Sequence, residues 1–383
     1  MRGLAVVIMI QCHVFNSFTA QAVRSGGPYV LSQFVGGMAA PLFLFMAGMT
    51  LAFLMNSQDR KQRAPRQRWL AALRRAGYVW GIAYLFRLSN CIATLPHTDW
   101  HEFTKVDILN CMGLAMAVFA AAAALEAPVR ARWAAAAALA VAAASPLVSN
   151  LDWGTTPSLI QEYLAPGHGR GRFAFFPNAS YLGFGLAAGT IVKRAAAESF
   201  DRLMQWGVLA GLVMILAAEY FANIPFSIYA KSNFWTDSPA LILIRTGIAL
   251  LMLAGCYLWT EYAAGARWSW MQALGKNSLM VYWVHVVLVY GNVARPWKQA
   301  LGGGQAALAT AVVTALMVGL SAAWMWGKAR QAEAMAGESG RAGMLRRLAG
   351  SAPWLRGRPE SPASGPGPRS GNRSLHSGSP PAC

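Results

Sequence analysis

Apolar runs of about 20 residues recur from the first residues to near position 326, separated by short polar and mostly basic connections. A helix rises about 1.5 Å per residue, so each run is long enough to cross roughly 30 Å of hydrocarbon. Ten spans can be read: 3–20, 31–56, 68–89, 106–126, 129–149, 173–192, 204–223, 239–260, 275–294 and 305–326. Lipid offers no partner to a backbone N–H or C=O, so every span must be helical. The pattern therefore predicts an all-α, polytopic membrane helix bundle. The span at 129–149 is nearly all Ala and Val and only moderately hydrophobic; were it not to cross, everything after it would invert.

The pattern is broken at particular places, and those breaks carry the chemistry. In "MIQCHVFNSF", residues 9–18, Gln11, Cys12, His13 and Asn16 fall within two helical turns of the first span. Such groups either satisfy one another where helices pack or line a reaction site at membrane depth. Ionisable side chains there are costly and usually face the bundle interior. A second histidine, His285, sits near the middle of span nine in "LGKNSLMVYWVHVVLVYG". Ser278, Tyr282 and His285 follow the i, i+4, i+7 spacing of one helix face. Two mid-depth imidazoles at opposite ends of the chain point to a shared chamber, where a neutral imidazole can take a proton from an amine or hydroxyl.

Further polar groups fall near the outer helix ends. Arg87 in "YLFRLSN" and Asp107 in "KVDILNCMGL" are an expected ion pair, with Asn110 one turn beyond Asp107. Glu219 and Arg245 could form a second pair, or Glu219 could extend to the headgroups; Arg245 lies deeper in its helix. "GFGLAAG" (183–189) sits inside an apolar helix, where small residues let helices approach closely. "HTDWH" offers His97 and His101 at i, i+4, too few ligands for a metal site, and no metal is expected.

Charge sets the orientation. The chain of 383 residues carries a net charge of +18, although only 13% of it is charged. The connection after span two holds Arg60, Lys61, Arg63, Arg66, Arg68, Arg74 and Arg75. Cytoplasmic loops accumulate Lys and Arg, which places this loop and both termini in the cytoplasm. The basicity is therefore topological, and no basic, aromatic-interleaved soluble module suggests nucleic acid. After residue 326 the composition turns to Pro, Gly, Ser and Arg, so 327–383 reads as a basic cytoplasmic tail without fixed structure. Within it "AGMLRRLAGSAPWL" could lie on the membrane surface. The five cysteines show no paired spacing.

"RGLAVVIMIQCHVFNSF", "APLFLFMAGMTLAFLM", "RRAGYVWGIAYLFRL", "KVDILNCMGLA", "FPNASYLGFGLAAGTIV" and "LGKNSLMVYWVHVVLVYG" occur in that order. The series resembles the bacterial relatives of heparan-α-glucosaminide N-acetyltransferase, within the acyltransferase-3-like superfamily of membrane acyltransferases, over residues 1–326. The resemblance implies an enzyme that moves acetyl from cytoplasmic acetyl-CoA to an amine or hydroxyl of a glycan or lipid-linked sugar on the far side. The loop after span one, where the animal enzyme's catalytic histidine is placed, holds no histidine here. His13 takes that place, as the histidine of span one does in acyltransferase-3 relatives. On this reading His13 is the base or transient acyl carrier, with His285, Asn110 and Arg245 orienting it or stabilising an oxyanion. Asp107, Arg87, Tyr282, Ser278 and Asn16 would contact the acceptor, and Arg2, Arg74, Arg75 and Lys276 the CoA phosphates. A transporter or flippase without covalent chemistry is the alternative, and whether the chain forms oligomers stays open.

Overall fold

A computed structural model describes residues 1–93, 101–165, 173–225, 228–264 and 269–350. Among them every long element is a helix. In chain order these are α1 (Arg2–Phe18), α2 (Gly27–Gly36), α3 (Ala39–Arg60), α4 (Pro65–Ala93), α5 (His101–Thr104), α6 (Ile108–Phe119) and α7 (Ala127–Ser149). There follow α8 (Ser158–Leu164), α9 (Phe175–Arg194), α10 (Phe200–Ala222), α11 (Pro239–Leu258), α12 (Trp270–Lys276), α13 (Ser278–Tyr290) and α14 (Gly303–Gly350). Met1–Met325 form one compact unit.

Each of the ten apolar runs falls on helix, and among the described residues five stretches are long and apolar enough to cross a membrane: Gly27–Arg60, Ala127–Ser149, Phe200–Ala222, Pro239–Tyr262 and Gly303–Gln331. Three more apolar helices, Arg2–Phe18, Ile108–Ala124 and Ser278–Tyr290, are shorter. The second run departs from a single continuous span. It divides at Gly37 and Met38 into α2 and α3, and Gly37 lies against the Arg245 guanidinium, with its absent Cβ only 3.0 Å from Nη2.

Small residues set the tightest packing. A Cβ on Gly185 of α9 would stand 1.9 Å from the Phe45 carbonyl oxygen of α3, and one on Gly48 would stand 2.0 Å from that of Leu182. Only bare glycine lets these backbones approach so closely, which is how "GFGLAAG" acts. Gly211 and Gly247 join α10 to α11 in the same way.

Two polar anchors hold the ends of helices. Arg130, completely buried at the start of α7, bonds both carboxylate oxygens of Asp59 and the carbonyls of Ala122 and Leu125. Arg68 of α4 binds the same carboxylate. The charge-only reading of the basic loops missed this anchor, since nothing in the pattern marks Arg130 as buried. At its far end α1 is tied down by residues 299–301, whose backbone pairs with Ser17, Phe18 and Ala20.

The helix α14 continues past residue 326, where the sequence places the start of an unstructured tail, and ends at Gly350. In the second unit, from Trp326 on, Arg330 stacks over the Trp326 ring at 3.9 Å. Residues 351–383, with the rest of the expected surface helix, lie outside the described residues, as does His97.

Candidate functional site

The polar groups of the first run divide by helix face. Gln11 donates to the Ser32 carbonyl of α2, Ser17 to the Val289 carbonyl of α13, and Asn16 to the Tyr290 hydroxyl at 3.3 Å. These three bonds fix α1 against its neighbours, so Asn16, expected at the acceptor, serves as a tie between helices. His13 faces elsewhere. It lines a cavity of about 620 Å³ whose walls come from α1, α3, α9, α11 and α13.

His285 does not share that wall. It is completely buried behind His13, and its Nε2 lies 2.8 Å from His13 Nδ1, with the two ring planes within 8°. Its own Nδ1 is 2.7 Å from the Val281 carbonyl oxygen, one turn back along α13. A carbonyl only accepts, so His285 Nδ1 carries the hydrogen and donates it. In the neutral ring Nε2 is then the acceptor, and His13 Nδ1 must be the donor. That leaves Nε2 of His13 as the nitrogen with the lone pair, the form that can remove a proton. The expectation of two imidazoles looking into one chamber is corrected to one imidazole at the chamber and a second that sets its tautomer.

Arg245 and Tyr282 also reach the cavity wall. Tyr282 packs its ring edge-on to His285 and against Phe86. Arg245 does not meet Glu219, which is exposed at the end of α10, so this second ion pair does not form. A helical side chain is directed back toward its helix N-terminus. That direction carries the Arg245 guanidinium to Gly37 and the buried Tyr181. Trp235, Thr236, Ser238 and Asn178 complete the polar part of the cavity, and none of these was picked out from the sequence. Their common signal is position: the first three precede the N-terminus of α11, the helix that carries Arg245.

The Arg87–Asp107 pair forms, at 3.1 Å. Asp107 and Asn110 nevertheless serve α6 rather than the cavity. The Asp107 carboxylate accepts from Leu109 N–H, and Asn110 Oδ1 accepts from Asp107 N–H, a reciprocal cap of two otherwise orphaned donors. Asn110 also donates to the Tyr163 hydroxyl, which receives Trp80 and meets Tyr84. The spacing D-x-x-N before an apolar run was the legible signal for this cap. Ser278 opens α13 and lines no part of the cavity.

A second cavity, of about 810 Å³, lies at the other end of α1, between α1, α11 and α12. Arg2 and Lys276 line it, with Trp259 and Trp270. Arg74 and Arg75 are exposed on α4 and do not line it, although Arg75 is close enough to repel Arg2. Both cavities thus touch α1, at Arg2 and at His13, which a helical rise puts about 16 Å apart. Among the described residues no three His, Cys, Asp or Glu side chains converge as metal ligands would.

Among curated proteins none matches the chain. The acyltransferase-3 family model, described as an acyltransferase domain, matches residues 1–326, the whole of the helical region that holds both cavities. Because that match spans well over half of the chain and covers helices long and apolar enough to cross a membrane, the chain belongs to the acyltransferase-3 family of membrane acyltransferases.

Proposed function

We propose that this protein transfers an acetyl group from cytoplasmic acetyl-CoA to an amine or hydroxyl of a glycan or lipid-linked sugar presented from the far side of the cell membrane. The observation that carries this reading is the oriented His13–His285 pair at the wall of the helix-lined chamber that also receives Arg245. Ten crossings, with both termini and the basic loop after α3 in the cytoplasm, put Arg2 and Lys276 on the donor side. The earlier resemblance to glucosaminide acetyltransferases supports a sugar as acceptor.

The donor's charge and shape suit the second cavity. Arg2 and Lys276 can meet CoA phosphates, while Trp259 and Trp270 offer faces for the adenine ring. The thioester then lies along α1 toward His13. The acceptor's oxygen or nitrogen attacks the thioester carbonyl as His13 Nε2 removes its proton, and a tetrahedral oxyanion forms. Collapse breaks the C–S bond, and the imidazolium returns the proton to the departing thiolate. CoA and the acylated sugar leave, with atoms and charge balanced. His285 acts here as a positioning residue, holding the tautomer and ring angle of His13.

A base in place contributes about 10²- to 10⁴-fold to such a step. His13→Ala should lower acetyl-CoA-dependent CoA release by at least about 10²-fold, with the purified variant eluting as the wild type does. A variant that turns over at the wild-type rate removes His13 from the chemistry. Radiolabelled acetyl-CoA separates this reading from a transporter: the enzyme releases CoA and labels a sugar, whereas a carrier moves its substrate without either.

A further inference from the structure

The cavity that holds His13 has an uneven electrostatic character. Among the described residues that line it Arg245 is the one that is permanently charged, and none is Asp or Glu. The nearest acid in sequence, Asp237, is buried in its own loop, where its carboxylate accepts from the Ser232 hydroxyl and the Asn233 N–H. Asp107 is held by Arg87 and by the cap of α6. Among the described residues, the guanidinium of Arg245 therefore enters the chamber without a carboxylate counter-ion from the chamber wall. A cation kept partly out of water in this way is costly unless a negative partner arrives.

Its surroundings are shaped for such a partner. Gly37 offers no side chain to cover the guanidinium, and a methyl group there would already press on Nη2 at 3.0 Å. Tyr181 stands beside it with a hydroxyl. Ser238 lines the same cavity as the N-cap of α11 and makes no side-chain bond to its helix, so its hydroxyl faces the duty of neither cap nor tie. The first turn of the 20-residue helix α11 adds the positive end of a helix dipole on that side. A guanidinium presents parallel donors that match the two oxygens of a carboxylate or phosphate.

We propose that the acceptor is an anionic sugar: Arg245 binds a carboxylate or phosphate carried by the acceptor and thereby places the acceptor's hydroxyl or amine beside His13. The proposal rests on the reading of this chamber as the acceptor site. It moves Arg245 from the reaction centre, where an oxyanion role would put it, to substrate selection. The carboxylate of an acidic saccharide and the phosphate of a lipid-linked sugar share this recognition chemistry.

The test is binding, so that it does not depend on turnover. The full chain is placed in phosphatidylcholine nanodiscs, which carry no net anionic lipid, and titrated with glucose, glucuronate and glucose 1-phosphate. The wild type should bind at least one of the two anions about tenfold or more tighter than glucose, the increment expected of a charge-assisted bond. Arg245→Gln should bring that ratio to near one, and Arg245→Lys should keep part of it. Discs doped with phosphatidylglycerol then separate the sources. Loss of glucuronate binding there assigns the site to a lipid-borne phosphate, and its persistence assigns it to the saccharide carboxylate; either fits the shared chemistry. Equal binding of all three sugars by the wild type, or an anion preference retained in Arg245→Gln, overturns the proposal. Wild-type protein that releases no CoA from acetyl-CoA overturns the acyltransfer reading instead, whatever the titrations give.

Discussion

A histidine is a base only in the tautomer that exposes a lone pair, and the neighbour of His13 decides that tautomer. His285 can accept from His13 because the Val281 carbonyl has already claimed the hydrogen on its other nitrogen. His285→Phe removes the acceptor and frees His13 to adopt the wrong form. Transfer should fall by about 10²-fold or more, as when a catalytic imidazole loses its orienting partner. His285→Gln, which can both accept and donate, should restore part of the rate and move the acid limb of the pH profile. If Phe and Gln behave alike, with the profile unmoved, the residue fills space and nothing more. The two histidines were legible because ionisable groups inside apolar runs are conspicuous. Their unequal roles were not, since helical spacing gives the face of one helix and says nothing of which ring stands in front when two helices meet. Arg245 was equally visible, but of the two readings open for its neighbour Glu219 the ion pair is the one that does not form, since the guanidinium turns inward past Gly37 and Glu219 is exposed.

At the scale of elements, the chamber owes its walls to glycines that hold α9 on α3. Gly185→Ala would put a methyl group within 1.9 Å of the Phe45 carbonyl oxygen, and backbone cannot swing aside as a side-chain tip can. Overpacking of this kind costs about 1–3 kcal/mol, so thermal unfolding in detergent should shift downward. Because Pro41, Phe43 and Tyr181 line the cavity from these same helices, transfer should weaken together with stability. An unchanged melting profile would show that the two helices have room to part. The sequence pointed to close packing at "GFGLAAG", and it also gave every long helix an apolar core. Less visible was the division of the second run, because an apolar stretch with paired glycines reads the same whether the chain bends or continues. The cap at Asp107 and Asn110 was misassigned for a related reason: the residues suited to close a helix start are also suited to bind a sugar.

Across the whole molecule, one helix connects two cavities of different character. Arg2 marks a cationic, tryptophan-flanked hollow and His13 a chamber ringed by hydroxyls and Arg245. The basic loops were readable as a vector across the membrane, and that vector makes a directional claim. Inverted vesicles supplied externally with acetyl-CoA should release CoA, and right-side-out vesicles should release it only after permeabilisation. The opposite pattern would reverse the orientation. The cavities themselves were beyond sequence reasoning, because their walls come from helices far apart in the chain. The hydrogen-bond line through the paired imidazoles stops at a peptide oxygen, which has no proton to pass on and no stable way to keep one. On the proposed reaction, a hydrogen surrendered by the acceptor finds no relay beyond His285 along this line and returns to the departing sulfur. On that reaction each cycle is then electrically closed, and acyl transfer would draw nothing from the membrane's proton gradient.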